Sequence, residues 1–352
     1  MPLLPLTHMS HDSHPGGSDP GAHSIVSFAG FHFSSLQEKW ERIPNTTDRA
    51  AEVSALQKGA NDVKYGVQSA VAPLRQCLLR RPSWNPHLEE DWQGTWGYER
   101  KPDLRAAQVE HDHFADLLRD YGVEVHYLEG EAEGLYDSIF ACDRAIVTGK
   151  GAVVLRSGKL ARQDESDLME AGLRRLDIPV VCRMEQPMTA DGGDFLWLKE
   201  DLVLVGYSYR TNAAAHGEFT GLMDGLGVEV VRMPVPYWSG TGDVMHLTSM
   251  INMVDYDLAV AYRKVMAVET VEYLKRRGVQ FIDAADEEFD MGLGTNVLAV
   301  APRRCVMLKD YPGVRKDLEA AGVEVRVFGA EQIAHCMKGG ATCLTLSTLR
   351  MH

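Results

Sequence analysis

Two hydrophobic rhythms trade places along this chain five times. On each occasion an amphipathic helical stretch runs into a turn and then into a strand rich in β-branched residues, at residues 117–125, 173–181, 222–230, 273–281 and 317–325. Helical spacing places apolar side chains at i, i+3 and i+4, whereas alternate positions share one face of a strand. Gly122, Gly227, Gly278 and Gly322 stand at four of the turns, where a residue without Cβ ends a helix at no steric cost. The second copy turns through Asp177-Ile178-Pro179 instead. The copies lie roughly fifty residues apart, a period that marks repeated modules.

Further apolar strands lie between the copies, at residues 152–155, 202–206, 258–261 and 297–300. Each module therefore reads strand, strand, helix, strand. Five such units each leave an apolar face, and a closed ring around a central axis buries all of them without end caps. The competing architecture is an open doubly wound α/β sheet, which also alternates strands and helices.

Three segments outside this rhythm carry candidate chemistry: Thr189-Ala190-Asp191-Gly192-Gly193-Asp194, Met245-His246-Leu247 and Lys338-Gly339-Gly340-Ala341-Thr342-Cys343. A thiolate can attack a carbon centre, an imidazole can move protons to and from a leaving group, and a carboxylate can orient both. Taken singly, a Cys is more often a small buried hydrophobe, a His a packed residue and Gly-Gly-Asp a turn. The Gly pair before Cys343 changes that balance, since it could bring backbone amides close to the thiol and lower its pKa.

With these segments, the runs Asp137-Ser138-Ile139-Phe140-Ala141-Cys142-Asp143, 162–165, Tyr209-Arg210-Thr211-Asn212 and Cys343-Leu344-Thr345 follow one another in order. From about residue 71 onward the chain resembles the guanidino-group modifying enzymes, the group of dimethylarginine dimethylaminohydrolase, arginine deiminase and the amidinotransferases. That resemblance implies an α/β fold of five ββαβ modules, the pentein propeller with pseudo-five-fold symmetry. It implies Cys343 as nucleophile, His246 as general acid and base, and Asp191 as the orienting carboxylate. Asp143 and Asp137 would hold the planar guanidinium, whose N–H fork suits bidentate acceptance by carboxylates. Arg162 and Arg210 match the positions that bind a substrate α-carboxylate.

The implied activity is hydrolysis of arginine or an N-ω-substituted arginine to citrulline or a ureido analogue, through a covalent S-alkylthiouronium on Cys343. No metal, nucleotide or organic cofactor takes part. An amidinotransferase would use the same intermediate with an amine acceptor, and a non-catalytic binding protein on the same fold is the alternative of another class. Cys142 stands where close relatives carry Glu, a change that would favour unmodified arginine or another guanidino compound over a dimethylated one. Residues 236–243, ahead of His246, are longer and more aromatic than the pattern and are a candidate substrate lid.

Composition narrows the partners. At 352 residues, 45% hydrophobic, the chain can bury a full core, and a net charge of −14 disfavours nucleic acid or an anionic membrane while suiting a small cationic substrate. Six Cys without CxxC pairs, and no apolar run near the roughly eighteen residues of a membrane span, lead to an expected cytoplasmic location; a homodimer is a candidate assembly. Residues 1–70 read as a flexible tail and helical extension, with 71–352 as the catalytic domain. In the tail, His8, His11, His14 and His23 lie among Ser, Gly and Pro, a composition typical of disorder more than of a metal site. Residues 34–66 read as one or two helices, with Asn45-Thr46-Thr47-Asp48 as a cap. His111 and His113, at i and i+2 of a helix over 104–121, point to different faces and so would not share a metal, and Cys336 reads as packing instead of a resolving thiol.

Overall fold

The computed structural model describes residues 64–87, 89–130, 134–240 and 244–351. The chain divides into two units, Met1–Asn61 and Asp62–His352. The His-rich tail and the extension expected from residue 34 onward lie outside the described residues, apart from the last few positions of that extension.

The described residues of the second unit form five sheets of three strands each. Four are continuous in sequence: β3 (Ala145–Thr148), β4 (Gly151–Val154) and β5 (Val180–Arg183); β6 (Phe195–Lys199), β7 (Leu202–Tyr207) and β8 (Glu229–Pro234); β9 (Ile251–Asp255), β10 (Leu258–Ala261) and β11 (Gln280–Asp283); β12 (Leu298–Ala301), β13 (Arg304–Leu308) and β14 (Glu324–Phe328). In each, the first strand pairs antiparallel with the second and the second pairs parallel with the third. A parallel neighbour needs a crossover. Helices supply it: α2 (Glu165–Arg175), α3 (Ala213–Asp224), α4 (Val268–Arg276) and α5 (Pro312–Ala320).

The remaining sheet has the same plan but draws its antiparallel strand from far along the chain. β1 (Leu74–Leu79) pairs parallel with β2 (Glu124–Tyr127) across helix α1 (Leu104–Asp120), and antiparallel with β15 (Leu346–Arg350). Gly66 N donates to Thr348 O at 2.8 Å and Arg350 N to Gly66 O at 2.9 Å, so the chain joins this sheet a few residues before the boundary at 70/71. Among the described residues every sheet is three strands wide, and the single wide sheet of a doubly wound fold is not found.

The turns end the helices as their residues dictate. Gly122, Gly227, Gly278 and Gly322 adopt φ of +79°, +71°, +81° and +80°, and Asp177 takes the same left-handed role at +55°. Asn212 and Asp103 cap α3 and α1 by accepting from Ala215 N at 3.0 Å and Ala106 N at 2.7 Å. The middle strands β4 and β10 are buried throughout, which is why their sequences are apolar without alternation. No described helix is long and apolar enough to cross a membrane.

One feature of the modules positions the site. A short helical turn precedes the first strand of each: Ala141–Arg144 before β3, Gly192–Asp194 before β6, Leu247–Met250 before β9, Asp290–Gly292 before β12 and Ala341–Leu344 before β15. The candidate residues Asp143, Asp191, His246 and Cys343 lie in or beside four of these five turns.

Phe114 of α1 packs on Phe328 of β14 with ring centroids 4.8 Å apart, joining the first sheet's helix to the fifth sheet. Phe114→Ala is expected to cost about 3–5 kcal/mol of unfolding free energy, measured by urea titration; a loss below about 1 kcal/mol would show that the contact carries little.

Candidate functional site

A cavity of about 300 Å³ is lined by Asp137, Asp143, Arg162, Arg210, His246, Asn296 and Cys343, together with Trp96, Lys159 and others. Asp191, 0% exposed, lies beneath it and touches its wall through His246 and Arg210. All seven residues singled out in the sequence therefore converge.

Close approach of backbone to side chain makes this convergence feasible. A Cβ on Gly193 would lie 2.9 Å from the His246 ring, and one on Gly340 would lie 2.5 Å from Asn296 Cγ. These two glycines are required by space and not by φ.

The Asp191 carboxylate meets four side chains. Its Oδ1 accepts from Arg144 Nη2 at 2.5 Å and Ser157 Oγ at 3.0 Å; its Oδ2 accepts from Arg210 Nη1 at 3.1 Å and faces His246 Nε2 at 3.3 Å. Burial opposes its ionisation, but Arg144, the His246 hydrogen bond and Arg210 outweigh burial and hold its pKa well below the usual carboxylate range. For His246 burial lowers the pKa, yet the bond to Asp191 and the charges of Asp194 and Asp143 win and raise it. The imidazole is thereby suited to carry a proton near neutral pH.

Cys343 sits in the Ala341–Leu344 turn and accepts a hydrogen bond from Asn296 Nδ2 at 3.1 Å. Asn296 is itself fixed, because its Oδ1 accepts from Thr342 N at 2.8 Å and Thr342 Oγ1 at 2.7 Å. The sequence leads one to expect a lowered thiol pKa, and the structure reverses that in sum. Burial and the Asp143 charge raise it, and Gly340, Asn296 and Thr342 only partly offset them. These surroundings favour the thiol form.

The arginines divide. Arg162 is buried, and its guanidinium is already engaged: Nε and Nη2 donate to Glu165 at 2.9–3.1 Å, Nη1 to Asp143 Oδ2 at 2.7 Å, and Nη2 to Asp137 O at 3.0 Å. Arg162, expected to bind a substrate carboxylate, lines the cavity with its guanidinium bonded to Glu165, Asp143 and the Asp137 carbonyl. Arg210 donates to Asp191 and faces the cavity. Asp143 Oδ1 also accepts from Gly193 N at 3.2 Å, and Cys142 Sγ lies 3.7 Å from it.

Asn296, Arg144, Glu165 and Lys159 were not assigned roles from the sequence. For Asn296 a signal existed, since it follows the one helical turn of five that held no candidate. Cys336 donates to Arg100 O at 3.1 Å, as a packed thiol does. Of the expected lid, residues 241–243 lie outside the described residues; Tyr237 meets Tyr209 edge-on at 6.0 Å, beside Arg210.

The arginine deiminase family model matches residues 132–291. Dimethylarginine dimethylaminohydrolase of Pseudomonas aeruginosa is 25% identical over 248 residues, 70% of this chain and 90% of that enzyme. Its structure complexed with citrulline superposes with a TM-score of 0.64 at 20% identity, over 79% of this chain and 100% of that one. The chain is similar in sequence and fold to members of the pentein superfamily. Among other penteins, arginine deiminase of Listeria innocua is 26% identical over 60% of this chain, which spans 61% of that enzyme. An amidinotransferase of the saxitoxin pathway from Microseira wollei shares the fold, with a TM-score of 0.66 at 14% identity over 82% of this chain and 98% of that one.

Two predictions follow from the geometry of this pentein site. Asn296→Ala removes the donor to Cys343 and should move the midpoint of the pH dependence of iodoacetamide alkylation upward by about half a unit or more; an unmoved midpoint would show that the bond does not tune the thiol. His246 has a folded pKa above its unfolded value of about 6.5, so its imidazolium stabilises the fold fully below that pH and the benefit fades as pH rises through the folded value. The stability advantage of the parent over His246→Gln should therefore be larger at about pH 6 than at about pH 9 in denaturant titrations.

Proposed function

We propose that this protein is a cysteine-dependent hydrolase of guanidino compounds, built as a closed five-module propeller. The observation that carries the reading is the meeting of Cys343, the His246–Asp191 pair and Asp143 in one cavity of a pentein fold. The ring is supported by the five identical sheet plans and by the β15–β1 pairing that joins the two ends of the unit.

The chemistry follows from the charges. A guanidinium docking against Asp143 brings a positive charge beside Cys343, which stabilises the thiolate that burial disfavours; the thiol proton passes to His246. Sulfur adds to the central guanidino carbon. The tetrahedral adduct collapses as protonated His246 gives its proton to the departing nitrogen, leaving an S-alkylthiouronium and one free amine or ammonia. Water then attacks the same carbon with neutral His246 taking its proton. Expulsion of sulfur yields the ureido product and returns the thiol. Asp191 holds the imidazole in place and stabilises its charged form, while Asn296 supports the thiolate through its N–H.

The test is mass spectrometry of products after incubation with arginine, its ω-methylated forms and simpler guanidino acids, with no amine added. The intact protein should form a ureido product, and Cys343→Ser should lower kcat by at least about a thousandfold. Turnover that appears only with an added amine, with the amidino group carried to it, would make the protein an amidinotransferase. No product under either condition would sink the enzymatic reading.

A further inference from the structure

Four of the helical turns that precede the first strands supply the site with Asp143, Asp191, His246 and Cys343. The fifth turn, Asp290–Gly292, brings a further carboxylate to the cavity wall, that of Asp290. No role was assigned to it from the sequence.

The surroundings of Asp290 differ from those of the other acids on the wall. Asp137 is paired with Lys159, Asp143 with Arg162 and Glu99 with Lys338. Asp290 Oδ2 accepts from Tyr311 Oη at 2.7 Å, and its ion-pair contact is His335 Nδ1 at 3.7 Å. Tyrosine brings no positive charge, and His335 brings one only when protonated, while its Nε2 faces a second acid, Asp310, at 3.2 Å. Among the described residues, Asp290 is thus the acid of the wall without a Lys or Arg partner. The lysines and arginines of the wall each have a carboxylate of their own, so their charges are largely cancelled where a ligand would meet them.

The local backbone is specialised. Asp290 and Met291 adopt φ of +37° and +56°, left-handed values uncommon for residues with a Cβ, and such conformations cluster at functional sites. Ahead of the turn, Glu288 accepts from Gly313 N and Val314 N at 2.7 Å each, which ties this segment to the start of α5, next to Tyr311.

The same segment leads from Asp290 to the nucleophile. Leu293 N donates to Asp290 O at 3.0 Å, and Asn296 N donates to Leu293 O at 3.2 Å. Each such turn keeps its end Cα atoms within about 7 Å, so two in succession hold Asp290 within about 14 Å of Asn296. Asn296 is bonded to Cys343 Sγ. A guanidinium at Asp143 and a second cation at Asp290 are therefore within reach of one ligand with a short methylene chain between them.

We infer that Asp290 is a specificity-determining residue that receives a ligand ammonium, and that the preferred substrate is a guanidino compound with a second cation a few methylenes from the guanidinium. The inference rests on the guanidino-hydrolase reading and deepens it. The Asp290 side chain is 49% exposed, so water screens the contact in part and its effect is several-fold, not thousandfold.

The experiment uses two matched pairs of compounds. Arginine is set against 5-guanidinopentanoate, which lacks only the ammonium, and agmatine against pentylguanidine, in which a methyl group replaces it. Measured are kcat/KM on the intact protein and on Asp290→Asn, and Kd on Cys343→Ser by calorimetry. Asn tolerates the left-handed backbone as Asp does, so the variant removes charge and little else. The intact protein should favour the ammonium-bearing member of each pair by at least about fivefold. Asp290→Asn should lose most of that preference through a raised KM for arginine and agmatine, with the other two compounds changed by less than about twofold. No preference in the intact protein, an unchanged preference in a folded Asp290→Asn, or an equal loss on all four compounds overturns the inference and leaves the hydrolase in place. Should Asp290→Asn not fold, the Kd pairs on Cys343→Ser decide, with a preference below about twofold counting against. Selective binding of arginine and agmatine without turnover of any compound would uphold the role of Asp290 and sink the hydrolase; binding of none of the four would sink both.

Discussion

A buried carboxylate cannot keep its charge without partners, and Asp191 sets the arrangement of its surroundings through that requirement. It draws Arg144 and Ser157 from either end of the β3–β4 hairpin, Arg210 from the segment ahead of α3, and His246 from the turn before β9. Removing one partner from such a buried set typically costs about 3–5 kcal/mol, because the remaining charges are left uncompensated. The same contacts that satisfy Asp191 tie neighbouring modules together and fix the imidazole, so local electrostatics and the geometry of the cavity are one constraint.

The neighbouring charges obey a related rule. Arg162 spends its donors on Glu165, Asp143 and the Asp137 carbonyl, which keeps Asp143 ionised beside the thiol despite burial. Arg144 joins Glu165 to Asp191 and so links two parts of the site that never touch directly. The floor of the cavity is an ion lattice whose members hold each other in their charged states.

Much of this was legible before any coordinates. The helix-to-strand phrase located all five crossover helices and their following strands, because helix stops at glycine and buried middle strands both leave strong local signals. The thiol, imidazole and carboxylates were legible from short motifs beside glycines. What the chain could not reveal was pairing. The bonds of Arg162 to Glu165 and Asp143 could not be read from the chain, and the Gly339-Gly340 step looked as though it would acidify Cys343, whereas burial dominates. Asp137 and Lys159 are separated by 22 positions, and their contact arises only when the Trp96 segment covers both. Such long-range partnerships depend on tertiary placement, which residue spacing does not encode.

The pairing of β15 with β1 also has a temporal meaning. Leu74 and Arg350 are register partners, and Cys343 stands three residues before the strand that makes this contact. During synthesis the first sheet must wait for nearly three hundred intervening residues, a closure with high entropic cost and correspondingly slow formation. The turn that carries Cys343 leads directly into β15, so the thiol and the strand that pairs with β1 enter the fold together.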